Sequence, residues 1–300
     1  MPRPVLPLRE VTVLAPAKLN LSLDVTGRMP NGYHALDMVM QTVGLYERLV
    51  LRRSAGLHLR LPGSRVFAGE NNTAWKAAVS FLRYTGLLAG ADITVYKEVP
   101  VRAGMAGGSA DAAGVLAGLN ELYGARLSMS ELCALGAQLG ADVPFALLGG
   151  TCRVSGVGDV LKPLPPCPAC WFCIVMPAGG GVSTPEAFAR YDTLGSSLHP
   201  DCAAQEAAIR AGDLAGLCAA AGNALEECSG ASETPALKAR LRQLGAAASL
   251  MTGSGAAVYG VFETEAAARA AAETLSREKP EAQVFCAPPV RGGARVAGRR

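Results

Sequence analysis

Long apolar runs are missing from this chain: no hydrophobic stretch in its 300 residues reaches the roughly 20 that a membrane-spanning helix requires. The opening residues, MPRPVLPLRE, carry prolines and charges where a secretory signal would have an apolar centre, so no export route is expected. Charge is scarce too, at 18% of residues with a net +3, and the lysines and arginines are dispersed. Without a basic stripe, neither nucleic acid nor a membrane surface is an expected partner. Two nucleotide signatures are absent: neither GxxxxGK[ST] nor GxGxxG spacing occurs, which argues against P-loop and dinucleotide-binding Rossmann folds.

What is present is a hydrophobic half of the composition and enough length for two cores. The run Pro163-Leu164-Pro165-Pro166-Cys167-Pro168 resists helix and sheet alike and divides the chain into domains at 1–165 and 166–300. Nine cysteines, an odd number mostly embedded in apolar or helical segments, predict free thiols in a reducing cytoplasm. Cys167, Cys170 and Cys173 form a CxxCxxC run that would suit a metal-binding protein, but no fourth ligand follows. The tail after Pro289 is rich in glycine and arginine and reads as frayed.

Ala17 to Thr26 alternates strictly, with Ala17, Leu19, Leu21, Leu23 and Val25 on one face of a strand. Lys18, Asn20, Ser22, Asp24 and Thr26 share the other, and the pattern by itself predicts a solvated sheet face. A turn is expected over 27–31, followed by Gly32-Tyr33-His34. Asn72 to Thr85 has helical spacing, with Trp75, Val79 and Leu82 toward a core. Ile93 to Val99 reads as a strand leading into Val99 to Tyr123, VPVRAGMAGGSADAAGVLAGLNELY, where small residues open a helix at Gly107-Gly108-Ser109. Such a loop is either a tight strand-to-helix turn or a phosphate cradle, because a helix N-terminus offers unpaired N–H groups and a partial positive charge. Ser109 and Asp111 in its first turn suit the helix start, and equally a phosphate-bound Mg²⁺.

Ser128 to Glu131 is a capping box. Asp142 follows in the apolar setting Gly140-Ala141-Asp142-Val143-Pro144; it caps a turn or prepares a hydroxyl for attack. In the second half, Trp171 to Met176, Ala248 to Thr252, Ala256 to Phe262 and Gln283 to Cys286 read as strands, with helices over 201–228, 235–244 and 264–275. A second glycine cluster, Thr252-Gly253-Ser254-Gly255, interrupts the strand pair. The order of elements predicts an α+β layer.

Taken together, Ala15-Pro16-Ala17-Lys18-Leu19-Asn20-Leu21, Gly32-Tyr33-His34, Pro100 to Ala113, Gly140 to Pro144 and Thr252 to Ala256 resemble the GHMP small-molecule kinases over nearly the whole chain. Within that superfamily the AKLNL, GYH and GADVP segments resemble the branch acting on 4-diphosphocytidyl-2-C-methyl-D-erythritol in non-mevalonate isoprenoid synthesis. The resemblance implies a ribosomal protein S5 domain 2-like N-terminal domain, a ferredoxin-like C-terminal domain, and ATP with Mg²⁺. It implies that Gly104, Gly107, Gly108 and Ser109 hold the ATP phosphates, that Ser109 reaches the metal, and that Asn72 and Lys97 lie on the adenosine side. It implies Lys18 and Asp142 as the catalytic pair, and Asn20, Tyr33, His34 and Phe188 as contacts of a cytidine-linked small-molecule substrate. The alternatives are a homoserine- or mevalonate-type kinase, for which the aromatic residues have no evident use, and the non-catalytic metal-binding protein. One departure is visible: the family loop reads close to GLGGGSS, whereas Ala106 and Ala110 stand here in place of a glycine and a hydroxyl residue.

Overall fold

A computed structural model describes residues 8–30 and 32–300, so Asn31 of the expected turn and the first seven residues lie outside the described residues. The first half runs β1 (Glu10–Arg28), β2 (His34–Ser54), β3 (His58–Arg60), α1 (Thr73–Thr85), β4 (Gly90–Tyr96), α2 (Gly107–Tyr123), α3 (Met129–Ala137), α4 (Asp142–Leu148), β5 (Thr151–Gly156) and β6 (Val160–Pro163). The second half runs β7 (Trp171–Met176), α5 (Thr184–Leu194), α6 (Cys202–Ala211), α7 (Leu214–Ala219), β8 (Gly222–Asn223), α8 (Thr234–Gln243), β9 (Ala248–Met251), β10 (Val258–Phe262), α9 (Glu265–Glu278), β11 (Gln283–Ala287) and β12 (Arg295–Arg299). Among the described residues no helix is long and apolar enough to cross a membrane.

This is the expected α+β organisation. One sheet has the order β12-β1-β2-β4-β3, with β5 and β6 added beside β2 and β8 beside β1; the second has the order β11-β7-β10-β9. The sheets fall on either side of the proline-rich segment, except that β8 and β12 return from the later half to pair with β1. We propose 1–165 and 166–300 as the two domains on this ground, the second lending those two strands to the first.

The long strand β1 serves three cores in turn. Val11, Val13 and Ala15 pack with Leu49, Phe81 and Leu116 beneath α1 and α2. Ala17, Leu19 and Leu21 pack with Phe172, Ile174 and Tyr259 of the second sheet. Leu23 and Val25 join Phe145 and Leu225. The handover occurs at register shifts in the β1–β2 ladder, the first between Pro16 and Ala17 and the next between Asn20 and Ser22. A bulge re-aims the side chains that follow it and tolerates a proline, which has no N–H for the ladder.

Several expectations need correction. The polar face of β1 is not solvated: Lys18, Asn20 and Ser22 are all buried, Lys18 beside Gly253, Asn20 against Met38 and Ser22 against Cys202 of α6. On α1 the fully buried residues are Ala74, Ala77, Ala78 and Phe81; Trp75 and Leu82 are half-buried but pack against the same core as expected, while Val79 is half-buried without joining it. Small alanines let the helix sit close, so the bulky residues flank the contact. The segment 201–228 is not helical throughout; α6 and α7 give way to β8 and a turn. The tail is not frayed, since β12 pairs with β1 from Val11↔Arg299 to Leu14↔Arg295. As expected, α2 buries Ala112, Val115, Leu116, Leu119 and Leu122 and ends at Gly124, which takes φ +61°.

Helix α2 lies close on β2 because Gly114 and Gly118 face Leu49 and Leu51; a Cβ at 118 would stand 2.7 Å from Leu51 Cδ1 and 3.1 Å from Val13 Cγ2. Overpacking such a contact costs about 1–3 kcal/mol. Gly118→Val is therefore expected to lower unfolding stability by about that amount, read as a shifted urea midpoint at unchanged slope.

Candidate active site

Between the first sheet and the 253–254 turn lies a cleft of about 700 Å³. Its walls bring together Lys18 and Asn20 from β1, Asn72 before α1, Lys97, the loop 99–109 with Gly104, Gly107, Gly108 and Ser109, Asp111 from α2, Asp142 from α4 and Phe188 from α5. These residues span much of the chain yet share one cavity. Tyr33 and His34 are not part of its wall. His34 stacks on Phe188 with ring centroids 4.6 Å apart, and Tyr33 is 66% exposed beside it, so the pair borders the cleft through Phe188.

The β1 end is fixed from the opposite domain. The Asn20 N–H donates to Thr252 Oγ1 at 3.0 Å, and the Asn20 carbonyl accepts from the Tyr259 hydroxyl at 2.8 Å. The Thr252 hydroxyl in turn donates to the Gly104 carbonyl at 3.3 Å, and Lys18 N–H donates to the Met105 carbonyl at 3.2 Å. The late TGSG turn thus touches both β1 and the glycine loop. Lys18 Nζ donates to Asn20 Oδ1. Burial pushes the Lys18 pKa below its ordinary 10.5, while the nearby Asp142 charge works the other way. Lys18 and Asp142 thus lie within electrostatic reach of each other.

Gly104 is demanded by packing more than by a ligand. It takes φ +75°, and a Cβ there would sit 2.0 Å from the Thr252 carbonyl oxygen. Gly107 has Glu47 Oε1 3.2 Å from where its Cβ would be, whereas Gly108 is exposed. Helix α2 opens at Ala106, with φ +56° and no side-chain cap, so the first N–H groups of its cleft end are unclaimed by a capping side chain.

Residues 72–150 match the GHMP kinases N terminal domain and residues 205–281 the GHMP kinases C terminal domain. The chain is 40% identical over 271 residues to the 4-diphosphocytidyl-2-C-methyl-D-erythritol kinase of Pelotomaculum thermopropionicum, covering 89% of this chain and 94% of that one. It is 41% identical over 258 residues to the enzyme of that name from Geobacillus thermodenitrificans, covering 84% and 88%. The chain belongs to the 4-diphosphocytidyl-2-C-methyl-D-erythritol kinase family of the GHMP kinases. A crystal structure of 4-(cytidine 5'-diphospho)-2C-methyl-D-erythritol kinase superposes with a TM-score of 0.78 at 36% identity, covering 94% of this chain and all of that one. A homoserine kinase from Cytophaga hutchinsonii reaches a TM-score of 0.76 at only 17% identity, covering 96% and 97%, and shares the fold alone. This family member is therefore a kinase that uses ATP.

In this GHMP kinase, sequence reading named Lys97 and Asp111 but missed Glu47, which joins them in one group beneath the glycine loop. Lys97 Nζ donates to Asp111 Oδ2 at 2.7 Å and to Glu47 Oε1, and the Glu98 N–H donates to Glu47 Oε2 at 2.8 Å. All three side chains are nearly inaccessible. Burial pushes the Asp111 carboxyl up to about 7, partly opposed by Lys97. Burial raises Glu47 as well. For Lys97 burial works against the charge, but the two carboxylates outweigh it and hold its pKa above the ordinary value. Asp111 Oδ1 is buried with no hydrogen-bond partner. Glu47 lies among mixed residues of β2, and no local sequence signal marks its burial. Asn72 is also committed, capping α1 by accepting from the Ala74 N–H at 2.9 Å and donating to the Phe67 carbonyl at 3.0 Å.

At the other end, His34 Nε2 lies 2.6 Å from Asp192 Oδ1, and the bond to His34 holds the Asp192 carboxyl below the usual range. The cysteine run does not form a metal centre. Among the described residues no group of three or more His, Cys, Asp or Glu is placed to hold a metal ion. Cys173 is buried in β7, where Cys286 of β11 stands opposite it, away from the Cys167–Cys170 pair.

The Lys97 cluster predicts an asymmetric response. Lys97→Met leaves two buried carboxylates without a cation and is expected to cost about 3–5 kcal/mol. Glu47→Gln leaves Asp111 to neutralise Lys97 and relieves its repulsion from Glu47, so its loss should be clearly smaller. Urea unfolding of the two variants side by side checks the order.

Proposed function

We propose that this kinase transfers the γ-phosphoryl group of ATP to the 2-hydroxyl of 4-diphosphocytidyl-2-C-methyl-D-erythritol, a step of non-mevalonate isoprenoid synthesis. The observation that carries the reading is the convergence of Lys18, Asn20 and Asp142 with the 104–109 loop on one cleft, in a chain about 40% identical to family members over most of its length. Phosphoryl transfer asks for positioning and charge stabilisation more than covalent chemistry.

In this reading Asp142 orients the substrate hydroxyl and takes its proton as the oxygen attacks phosphorus. Lys18 stabilises negative charge on that oxygen and is itself held in place by Asn20. Asn20, clamped by Thr252 and Tyr259, also places the methylerythritol portion. Phe188, with His34 on its face and Tyr33 alongside, receives the cytosine by stacking and edge hydrogen bonds. The phosphates meet the unclaimed N–H groups at Gly107, Gly108 and Ser109, and Gly104 keeps the loop against the 252 turn. At the far end, Phe67 is 83% exposed and offers a ring face for adenine beside Asn72. Lys97 supports that side from below. Ser109 and the unpartnered Asp111 Oδ1 present oxygen donors that suit Mg²⁺, which would neutralise charge on the transferring phosphate. The nine free cysteines support the cytoplasm as the compartment.

Asp142→Ala is expected to lower substrate-dependent ATP consumption by about 10²–10⁴-fold while circular dichroism stays native; full activity would sink the assignment. Turnover of 4-diphosphocytidyl-2-C-methyl-D-erythritol against homoserine and mevalonate tests the substrate directly. Lys18 must carry its proton, and its pKa is depressed, so kcat/KM should fall as pH rises, in a limb lying below 10.5. Lys18→Arg should remove that limb from whatever activity persists, because a guanidinium does not deprotonate in this range.

A further inference from the structure

Among the described residues three cations line the cleft, Lys18, Lys97 and Arg102, and two of them are already engaged. Lys18 Nζ is bonded to Asn20 and faces the charge of Asp142. Lys97 is held by Glu47 and Asp111. Three carboxylates thus stand against two lysines, and no surplus positive side-chain charge is left for an incoming polyanion.

Arg102 is different on every count. It is exposed in the cleft wall, and among the described residues no hydrogen bond or ion pair engages its guanidinium. Its backbone takes φ +57°, a conformation glycine would adopt without strain. The glycine loop 179–181 of the second domain closes on it: a Cβ at Gly181 would sit 1.8 Å from the Arg102 carbonyl oxygen and 2.4 Å from Arg102 Cβ. Beside this contact, Thr184 Oγ1 and Ser254 Oγ lie 3.0 Å apart, joining α5 to the TGSG turn. An arginine is therefore seated, backbone gripped and side chain free, where the two domains meet over the phosphate loop.

We infer that Arg102 binds phosphate oxygens of a nucleotide substrate, its guanidinium making the charge-assisted fork that such oxygens favour. The phosphate comes either from the ATP triphosphate or from the diphosphate of the cytidine-linked substrate; only the second source rests on the function proposed above. The side chain provides the missing positive charge, and the left-handed backbone with Gly181 against it sets where that charge stands.

Equilibrium binding of ATP, of adenosine and of 4-diphosphocytidyl-2-C-methyl-D-erythritol to the full-length wild type and to Arg102→Gly tests this. Glycine keeps the backbone conformation, so the variant should melt no lower than wild type. A rise of about 10-fold in the ATP dissociation constant with adenosine unchanged assigns the triphosphate; the same rise for the cytidine compound assigns the diphosphate. Arg102→Lys should fall between, keeping charge without the fork. Unchanged affinity for both phosphorylated ligands overturns the inference, and so does an equal loss for adenosine, which carries no phosphate. If the wild type binds ATP but not the cytidine compound, the proposed substrate fails while the ATP measurement still judges Arg102.

Discussion

The site depends on how the backbone of Asn20 is held. In a sheet the outward N–H and C=O of a strand pair with the next strand; here, among the described residues, no strand lies on this edge of β1 between Leu14, where β12 stops, and Ser22, where β8 begins, so those of Asn20 need other partners. Thr252 Oγ1 takes the N–H and the Tyr259 hydroxyl supplies the carbonyl, both from the second domain. Tyr259 is wholly buried, and burial raises its pKa well above the ordinary value, so the phenol stays a neutral donor. Lys18 and Asn20 consequently point into the cleft only because the second sheet is docked behind them. The first sheet alone would leave this stretch of β1 with unpaired polar backbone, which burial does not tolerate.

The same residue type plays opposite parts at the two ends of the cleft. Lys97 meets two carboxylates, which outweigh its desolvation and make it a permanent cation with its field already cancelled. Lys18 has only Asp142 nearby, burial wins, and its proton is held more loosely. A cancelled charge is suited to supporting a loop. A loosely protonated ammonium that faces a single carboxylate is suited to answering charge that develops on a reacting oxygen.

Much of this was legible from residue order. The alternation over Ala17–Thr26, the capping box at Ser128, the stop at Gly124 and the strand placements of the second half rest on local periodicity and turn chemistry, which the chain carries within short windows. The burial of Lys18, Asn20 and Ser22 was not legible, because partners such as Thr252 at Asn20 and Cys202 at Ser22 come from more than 150 residues away in sequence. Glu47 escaped for the same reason: its partners Lys97 and Asp111 come from other elements, and only the β2–β4 and α2 packing gathers them. The tail after Pro289 looked frayed by composition, yet an edge of β1 was waiting for it, and backbone pairing does not need apolar side chains.

Ala106 can now be weighed as chemistry. A methyl at φ +56° carries strain that glycine would not, and in that sense the departure from the family loop is unfavourable. Its effect on the donors runs the other way. Elsewhere the helices that start with Asn72, Ser128, Asp201 and Thr264 spend a side-chain oxygen on their own first-turn N–H groups. Alanine has no such oxygen, so α2 begins with its N–H groups unclaimed, and the first intrahelical bond is that of Ala110 to the Ala106 carbonyl. A hydroxyl or carboxylate at 106 would relieve the helix end by occupying the donors that we propose for the phosphates. Glycine and alanine both leave those N–H groups without a capping side chain, and alanine does so at the cost of backbone strain.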